Sequence, residues 1–256
     1  MPPAPRISDQ ILSRTLTTEE NLFGELAAST RWESVGKGRR GAVLARIDEA
    51  GGVPLVRTTT RYVSPTQRFR AVHERLAEQV RQCVPIPVDF NNALVECYTN
   101  AYATMGSHSD QALDLADESF IAVFSCYQHP EAGSPRKLIF ETKDSGGETF
   151  ETSLAHNSIV AFSVAANRLL RHRIILAAPG QSTENQWLGV TFRTSKTSVR
   201  FRDGRAYLPG GARLVSADDG QRQEFYQLRR RENKETSFVY PALTYTVSES
   251  DLMPPV

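Results

Sequence analysis

Ser158-Ile159-Val160-Ala161-Phe162-Ser163-Val164, then Leu169-Leu170-Arg171-His172-Arg173-Ile174-Ile175-Leu176, then Trp187-Leu188-Gly189-Val190-Thr191-Phe192-Arg193-Thr194: on these three runs the fold turns. Each is short, apolar and rich in β-branched or aromatic residues, the composition of a buried strand. Asn167-Arg168 and Pro179-Gly180 fall beside them as turns. Upstream, further strand-like runs lie at 93–98, 120–127, 137–141 and 148–153, with Gly146-Gly147 marking a hairpin. Short strands in succession, with no helices alternating between them, point to a sandwich or jelly roll over 85–196.

The flanks read as elaborations of one domain spanning 1–256. Residues 1–84 are expected to hold a loose arm with a short helix near 18–28, a hairpin across Gly51-Gly52 joining 42–47 to 53–62, and a supporting helix over 65–83. Ser64-Pro65 resembles a helix start, and Phe69, Val72, Leu76 and Val80 recur on one helical face. Residues 197–256 carry a tight hairpin through Asp203-Gly204, a charged helix over 221–235 and strand-like runs at 238–241 and 243–247. Arg229-Arg230-Arg231 sits among Glu224, Glu232 and Glu235, which reads as a mixed, solvated helix and not as a nucleic-acid patch.

The chemistry is concentrated in His108-Ser109-Asp110 and His172. A His and an Asp two residues apart on an extended segment point to the same side, so both reach one ion. A second imidazole from a neighbouring strand completes two nitrogens and one carboxylate, the set that suits non-haem Fe(II) with open positions. His172 lies within a strand and is preferred as the distal ligand; His156, at a turn ahead of a strand, is its rival.

In its order of motifs the chain resembles the Fe(II)/2-oxoglutarate oxygenase superfamily, and within it the AlkB-like branch. The residues that carry the likeness are Tyr98, the Gly106-Ser107-His108-Ser109-Asp110 segment, His172 and the closing Thr191-Phe192-Arg193, over roughly 90–196. The resemblance implies a double-stranded β-helix core of the jelly-roll, cupin-like type, mainly β with flanking helices. It implies Fe(II) on His108, Asp110 and His172 as the catalytic centre, with 2-oxoglutarate and O2 as co-substrates. The pattern departs at Glu96, where the branch has Asn, and at Trp187, where it has an arginine for the distal carboxylate of 2-oxoglutarate. Arg193 and Tyr98 are then the expected co-substrate anchors, with Arg168, Arg171 and Arg173 as possible replacements. Gly189 beside Arg193 is read as leaving room for a ligand. Tyr102 and Met105, in the loop leading to the metal, are expected to line the substrate pocket. A retained Asp110 favours hydroxylation, desaturation or demethylation over halogenation.

Lys and Arg number 30 against 29 acidic residues, so no overall field draws the chain to nucleic acid or to an anionic membrane. No apolar run approaches the length of a membrane span. Cys83, Cys97 and Cys126 have no metal or redox spacing and read as thiols in a reducing cytoplasm. The balance favours a small-molecule substrate such as a nucleoside, amino acid or other biosynthetic metabolite. Alternatives are oxidative demethylation of alkylated bases in DNA or RNA, and a non-catalytic, cupin-like metal-binding protein.

Overall fold

The structure, a computed structural model, describes residues 6–84, 89–144, 147–178 and 184–256. Helix α1 (Ile7–Gln10) runs into β1 (Ile11–Thr15), and α2 (Leu22–Ser29) leads to the antiparallel pair β2 (Glu33–Gly36) and β3 (Arg39–Ala45). Strands β4 (Val53–Leu55) and β5 (Gln67–Arg68) precede α3 (Ala71–Cys83). Then come β6 (Asn92–Tyr98), β7 (Phe120–Tyr127), β8 (Arg136–Thr142), β9 (Thr149–Leu154) and β10 (Ser158–Ser163). Helix α4 (Val164–Leu169), β11 (Leu170–Ile175) and β12 (Trp187–Arg193) close the core. Beyond it lie β13 (Thr197–Arg202), β14 (Arg205–Tyr207), β15 (Val215–Ser216), α5 (Asp219–Glu232) and β16 (Tyr245–Thr246).

The large sheet runs β1-β10-β7-β12-β6-β3-β2, with β5 added on β3. Strands β11-β8-β9 form the smaller sheet, widened by bridges from Thr104 to Ile175 and from His108 to His172. The chain passes from the large sheet (β7) to the small one (β8, β9), back (β10), across (β11) and back again (β12). That path is a double-stranded β-helix, mainly β with helices on its flank. Side-chain alternation builds its two layers. On β12, Leu188, Val190 and Phe192 join Leu76 and Val80 of α3 on the outer face. Trp187 joins Val123, Phe140 and Ile174 between the sheets.

The seven core strands lie where the apolar runs are, and the flanks differ from expectation. The arm is not loose: Ile11–Thr15 pairs antiparallel with β10, covering a sheet edge that would otherwise be open. The first longer helix begins at Leu22, with Asn21 accepting from the Gly24 N–H, four residues later than expected. Helix α3 starts at Ala71, not Pro65, because Gln67-Arg68 pairs in parallel with Leu44-Ala45 first. Gly51-Gly52 joins strands of different sheets, since β3 pairs with β6 whereas β4 pairs with β13. Asn167-Arg168 belongs to α4, capped by Ser163 Oγ accepting from the Ala166 N–H. Residues 238–241 form no strand, and β16 pairs in parallel with β15. The Asp203-Gly204 hairpin holds, with both residues in the left-handed region at φ of 49° and 69°. Pro179-Gly180 and Gly146 lie outside the described residues.

Asp251, near the C-terminus, is buried and accepts hydrogen bonds from Thr246 Oγ1 at 2.5 Å and Ser250 Oγ at 3.3 Å. Burial pushes its carboxyl up to about 7 from an ordinary 3.8. The folded chain therefore holds a proton that the unfolded chain releases, so this group lowers stability as pH rises from about 4 to about 7. Asp251→Asn is expected to raise Tm at pH 8 and leave it unchanged at pH 4, read by thermal denaturation at both values. Equal effects at the two values would refute this account.

Candidate metal centre

His108 and His172 are brought together by backbone pairing. The His108 N–H donates to the His172 carbonyl at 2.9 Å and the His172 N–H donates back at 2.6 Å. Directly opposite residues of an antiparallel pair put their side chains on one face, and the two rings meet with centroids 4.6 Å apart. Asp110 follows two residues on and faces the same way, as the H-x-D spacing predicts. Its Oδ1 lies 3.7 Å from His108 Nε2 and 3.6 Å from His172 Nε2. These three ligand atoms lie within 4.8 Å of one another, and among the described residues no other such cluster of three occurs. His156 is elsewhere, accepting from the Tyr127 N–H through Nδ1.

The surroundings hold the three side chains in the protonation states a divalent metal needs. Burial, reinforced by the neighbouring His108, brings His172 down to about 3. Burial also lowers His108, and its Nδ1 lies 2.9 Å from the Gly106 carbonyl, an arrangement that leaves Nε2 for the ion. For Asp110, burial works upward but is outweighed by Arg193 and the two imidazoles, which hold the carboxyl well below its usual range. The residues thus fit Fe(II): neutral nitrogens, an ionised oxygen and a cavity on the open side.

Asp110 and the segment that carries it are braced by their neighbours. Asn167 Nδ2 donates to the Asp110 carbonyl and its Oδ1 accepts from the Asp110 N–H, both at 2.7 Å. Arg193 donates through Nε to Asp110 Oδ2 at 2.8 Å, and its Nη2 lies 2.6 Å from the same oxygen. Oδ1 is thereby left for the metal. Helix α5 grips the segment from outside: Arg229 donates to the Ser109 carbonyl and to Glu232 Oε2, and Glu232 Oε1 accepts from the Ala112 N–H. Arg229 and Glu232 are buried, so this helix is a brace and not the solvated helix that its mixed charges suggest.

Beside the cluster lies a cavity of about 380 Å³. Tyr102 and Met105 line it. Tyr98 does not face it; fully buried between Trp187 and Tyr102, it donates its hydroxyl to Glu96 Oε2 at 2.7 Å. The room at Gly189 is not for a ligand, because a Cβ there would meet the folded indole of Trp187 at 2.1 Å. Arg168 pairs with Asp117, and Arg171 and Arg173 with Glu141, all away from the cavity. Arg39 and Gln111 are lining residues that escaped the sequence reading. Arg39 on β3 carries a cation into the wall, and a buried acid such as Glu96, which requires a partner, was the available signal. Gln111 follows Asp110, and neither polar atom of its buried amide has a hydrogen-bond partner among the described residues.

Residues 21–201 match the family model described as the 2OG-Fe(II) oxygenase superfamily. No curated protein matches the chain. The solved structure of OsALKBH1 is 12% identical at a TM-score of 0.45, covering 72% of this chain and 98% of that one. A Pseudomonas putida prolyl-4-hydroxylase is 13% identical at a TM-score of 0.41, covering 73% and 97%. Likeness at that level carries nothing about substrate. With a family model spanning most of the chain over a fold and ligand set that suit it, this protein belongs to the 2OG-Fe(II) oxygenase superfamily and is a 2-oxoglutarate-dependent dioxygenase using Fe(II), 2-oxoglutarate and O2.

Proposed function

We propose that the enzyme oxidises a small, polar metabolite by hydroxylation, or by desaturation or demethylation with the same oxidant, and that His108, Asp110 and His172 hold its Fe(II). One observation carries the choice of substrate class. Every arginine lining the cavity is already paired with a carboxylate: Arg39 with Glu96, Arg193 with Asp110 and Arg229 with Glu232. An extruded base arrives with several phosphates that need cations beyond these three, whereas the rest of this lining offers neutral groups such as Thr59, Gln111 and Asn233. The free state of Cys83, Cys97 and Cys126 supports the cytoplasm as its compartment.

When bound, Fe(II) with 2-oxoglutarate and O2 would supply an oxidant for a C–H bond, one oxygen atom leaving in succinate as CO2 is lost and the other reaching the substrate or, in desaturation, leaving as water. The chain's own part is positioning. Arg193 orients Asp110, Asn167 fixes the backbone that carries it, and the apolar side chains of Val123, Leu138 and Ile174 keep water from the reacting face. Gln111 offers an idle donor and acceptor next to the metal ligand, and a substrate that pairs with both relieves a buried polar group. Gln111→Leu is accordingly expected to raise the Tm of the free enzyme. It should also raise KM for the substrate about tenfold, leaving the affinity for 2-oxoglutarate unchanged. An unchanged KM would remove Gln111 from substrate recognition.

The class is tested by screening metabolites and alkylated oligonucleotides for substrate-stimulated succinate formation. A metabolite is expected to stimulate, with negligible oligonucleotide binding at physiological salt. The reading fails if micromolar oligonucleotide binding appears that weakens steeply with salt, is lost on neutralising the exposed Arg230 and Arg231, and accompanies removal of a base methyl group.

A further inference from the structure

2-Oxoglutarate carries two carboxylates. Its keto-acid end belongs at the metal, and the far carboxylate then enters a cavity whose walls exclude much of the water that would stabilise it. It needs a cation with a donor to give. Among the cavity's arginines, Arg193 is turned to the metal ligand and Arg229 is held at the Ser109 carbonyl and Glu232. Arg39 differs. Its Nε and Nη2 donate to Glu96 Oε1 at 2.7 and 2.5 Å, and Nη2 also to Thr60 Oγ1 at 3.2 Å. Its Nη1 donates to no protein atom among the described residues, and the guanidinium lies over the Tyr102 ring at the cavity wall.

The strand register explains why the cation sits there. Tyr98 on β6 stands opposite Trp187 on β12 and opposite Arg39 on β3. Position 187 holds an indole, so the cation next to Tyr98 comes from the strand on its other side. Glu96 is likewise opposite Gly189 on β12 and Gly41 on β3. A Cβ at Gly41 would meet Tyr62 Oη at 2.7 Å, so the two glycines let Trp187 and Tyr62 fold in around Glu96. The Glu96 carboxylate is thereby placed with one oxygen on Arg39 and the other on the Tyr98 hydroxyl. A side-chain carboxylate, clamped by a guanidinium and a phenol in the cavity wall, is in the environment a ligand carboxylate requires.

We propose that Arg39 anchors the distal carboxylate of 2-oxoglutarate and that Glu96 is a built-in placeholder, which the co-substrate displaces from Arg39 on binding. Two carboxylates on one guanidinium repel each other, so the affinity observed is that of the anchor less the strength of the Arg39–Glu96 pair. Glu96→Gln keeps the shape and an acceptor for Tyr98 but removes the competing charge. The inference concerns the co-substrate and stands apart from the substrate class proposed above.

The test is calorimetric titration of the Mn(II)-loaded protein, without substrate or turnover, using 2-oxoglutarate and, as a keto acid lacking the distal carboxylate, pyruvate. Arg39→Gln is expected to weaken 2-oxoglutarate by about tenfold or more and leave pyruvate unchanged. Glu96→Gln is expected to tighten 2-oxoglutarate by about tenfold, again without effect on pyruvate, and the double variant should bind like Arg39→Gln. Unchanged Mn(II) affinity reports an intact centre in each variant. Should Arg39→Gln fail to fold, Glu96→Gln decides alone. Weaker or unchanged 2-oxoglutarate binding in Glu96→Gln, or equal loss of both keto acids in Arg39→Gln, overturns the proposal.

Discussion

Asp110→Ala is expected to abolish iron binding and turnover together. The substitution removes the single anionic ligand and leaves two neutral imidazoles, which hold Fe(II) weakly in the presence of water. It also strands Arg193, whose side chain is 7% exposed, without the carboxylate it faces at 2.6 Å. The loss should exceed the roughly 10–100-fold that removal of an outer partner costs, which is the effect expected for Asn167→Ala. Anaerobic Fe(II) titration and succinate release measure both. His156→Ala, outside the cluster, should bind iron as the parent does. Stoichiometric iron retained in Asp110→Ala would mean that the ligands are elsewhere.

The second large effect is on folding. Arg57 is buried against Asp114, with Nε and Nη2 donating to the two carboxylate oxygens at 3.0 and 2.8 Å and the backbone N–H adding a third bond at 2.8 Å. Its Nη1 donates to the carbonyls of Leu243 and Tyr245 at 2.8 and 3.1 Å. One guanidinium thus ties the N-terminal third, the segment after Asp110 and the C-terminal extension. Arg57→Ala leaves Asp114 charged, buried and unpaired, and should cost about 3–5 kcal/mol in urea unfolding. Arg57→Met with Asp114→Leu should recover most of that loss, because the uncompensated charge is gone. We propose on the same ground that 1–256 is one domain; two separate unfolding transitions in the parent protein would sink that reading.

Much of the centre was legible without coordinates. The H-x-D spacing places His108 and Asp110 on one side of an extended segment whatever surrounds it, and His172 sits in a short run whose apolar and β-branched ends read as a strand. Core strands are legible in composition: β6, β7, β10 and β12 are buried along nearly their whole length, and β8 and β11 bury alternate side chains. The flanks were less so. Residues 67–68 carry a helix-like pattern with a proline start, yet pairing with β3 takes them first, because a sheet edge offers backbone partners that no local signal reveals.

What only the tertiary structure decided are the partnerships. Arg193 is an orienter of Asp110, and Arg229 and Glu232 brace Ser109 and Ala112 from helix α5; both depend on contacts between residues scores of positions apart. Arg39 opposite Tyr98, with Glu96 between the glycines of two neighbouring strands, follows from register, which no single strand specifies. The sequence alone determined the kind of chemistry, because ligand identity and spacing are local and covalent. Which charge meets which carboxylate in the cavity is a non-local outcome, set by how sheets and helices pack.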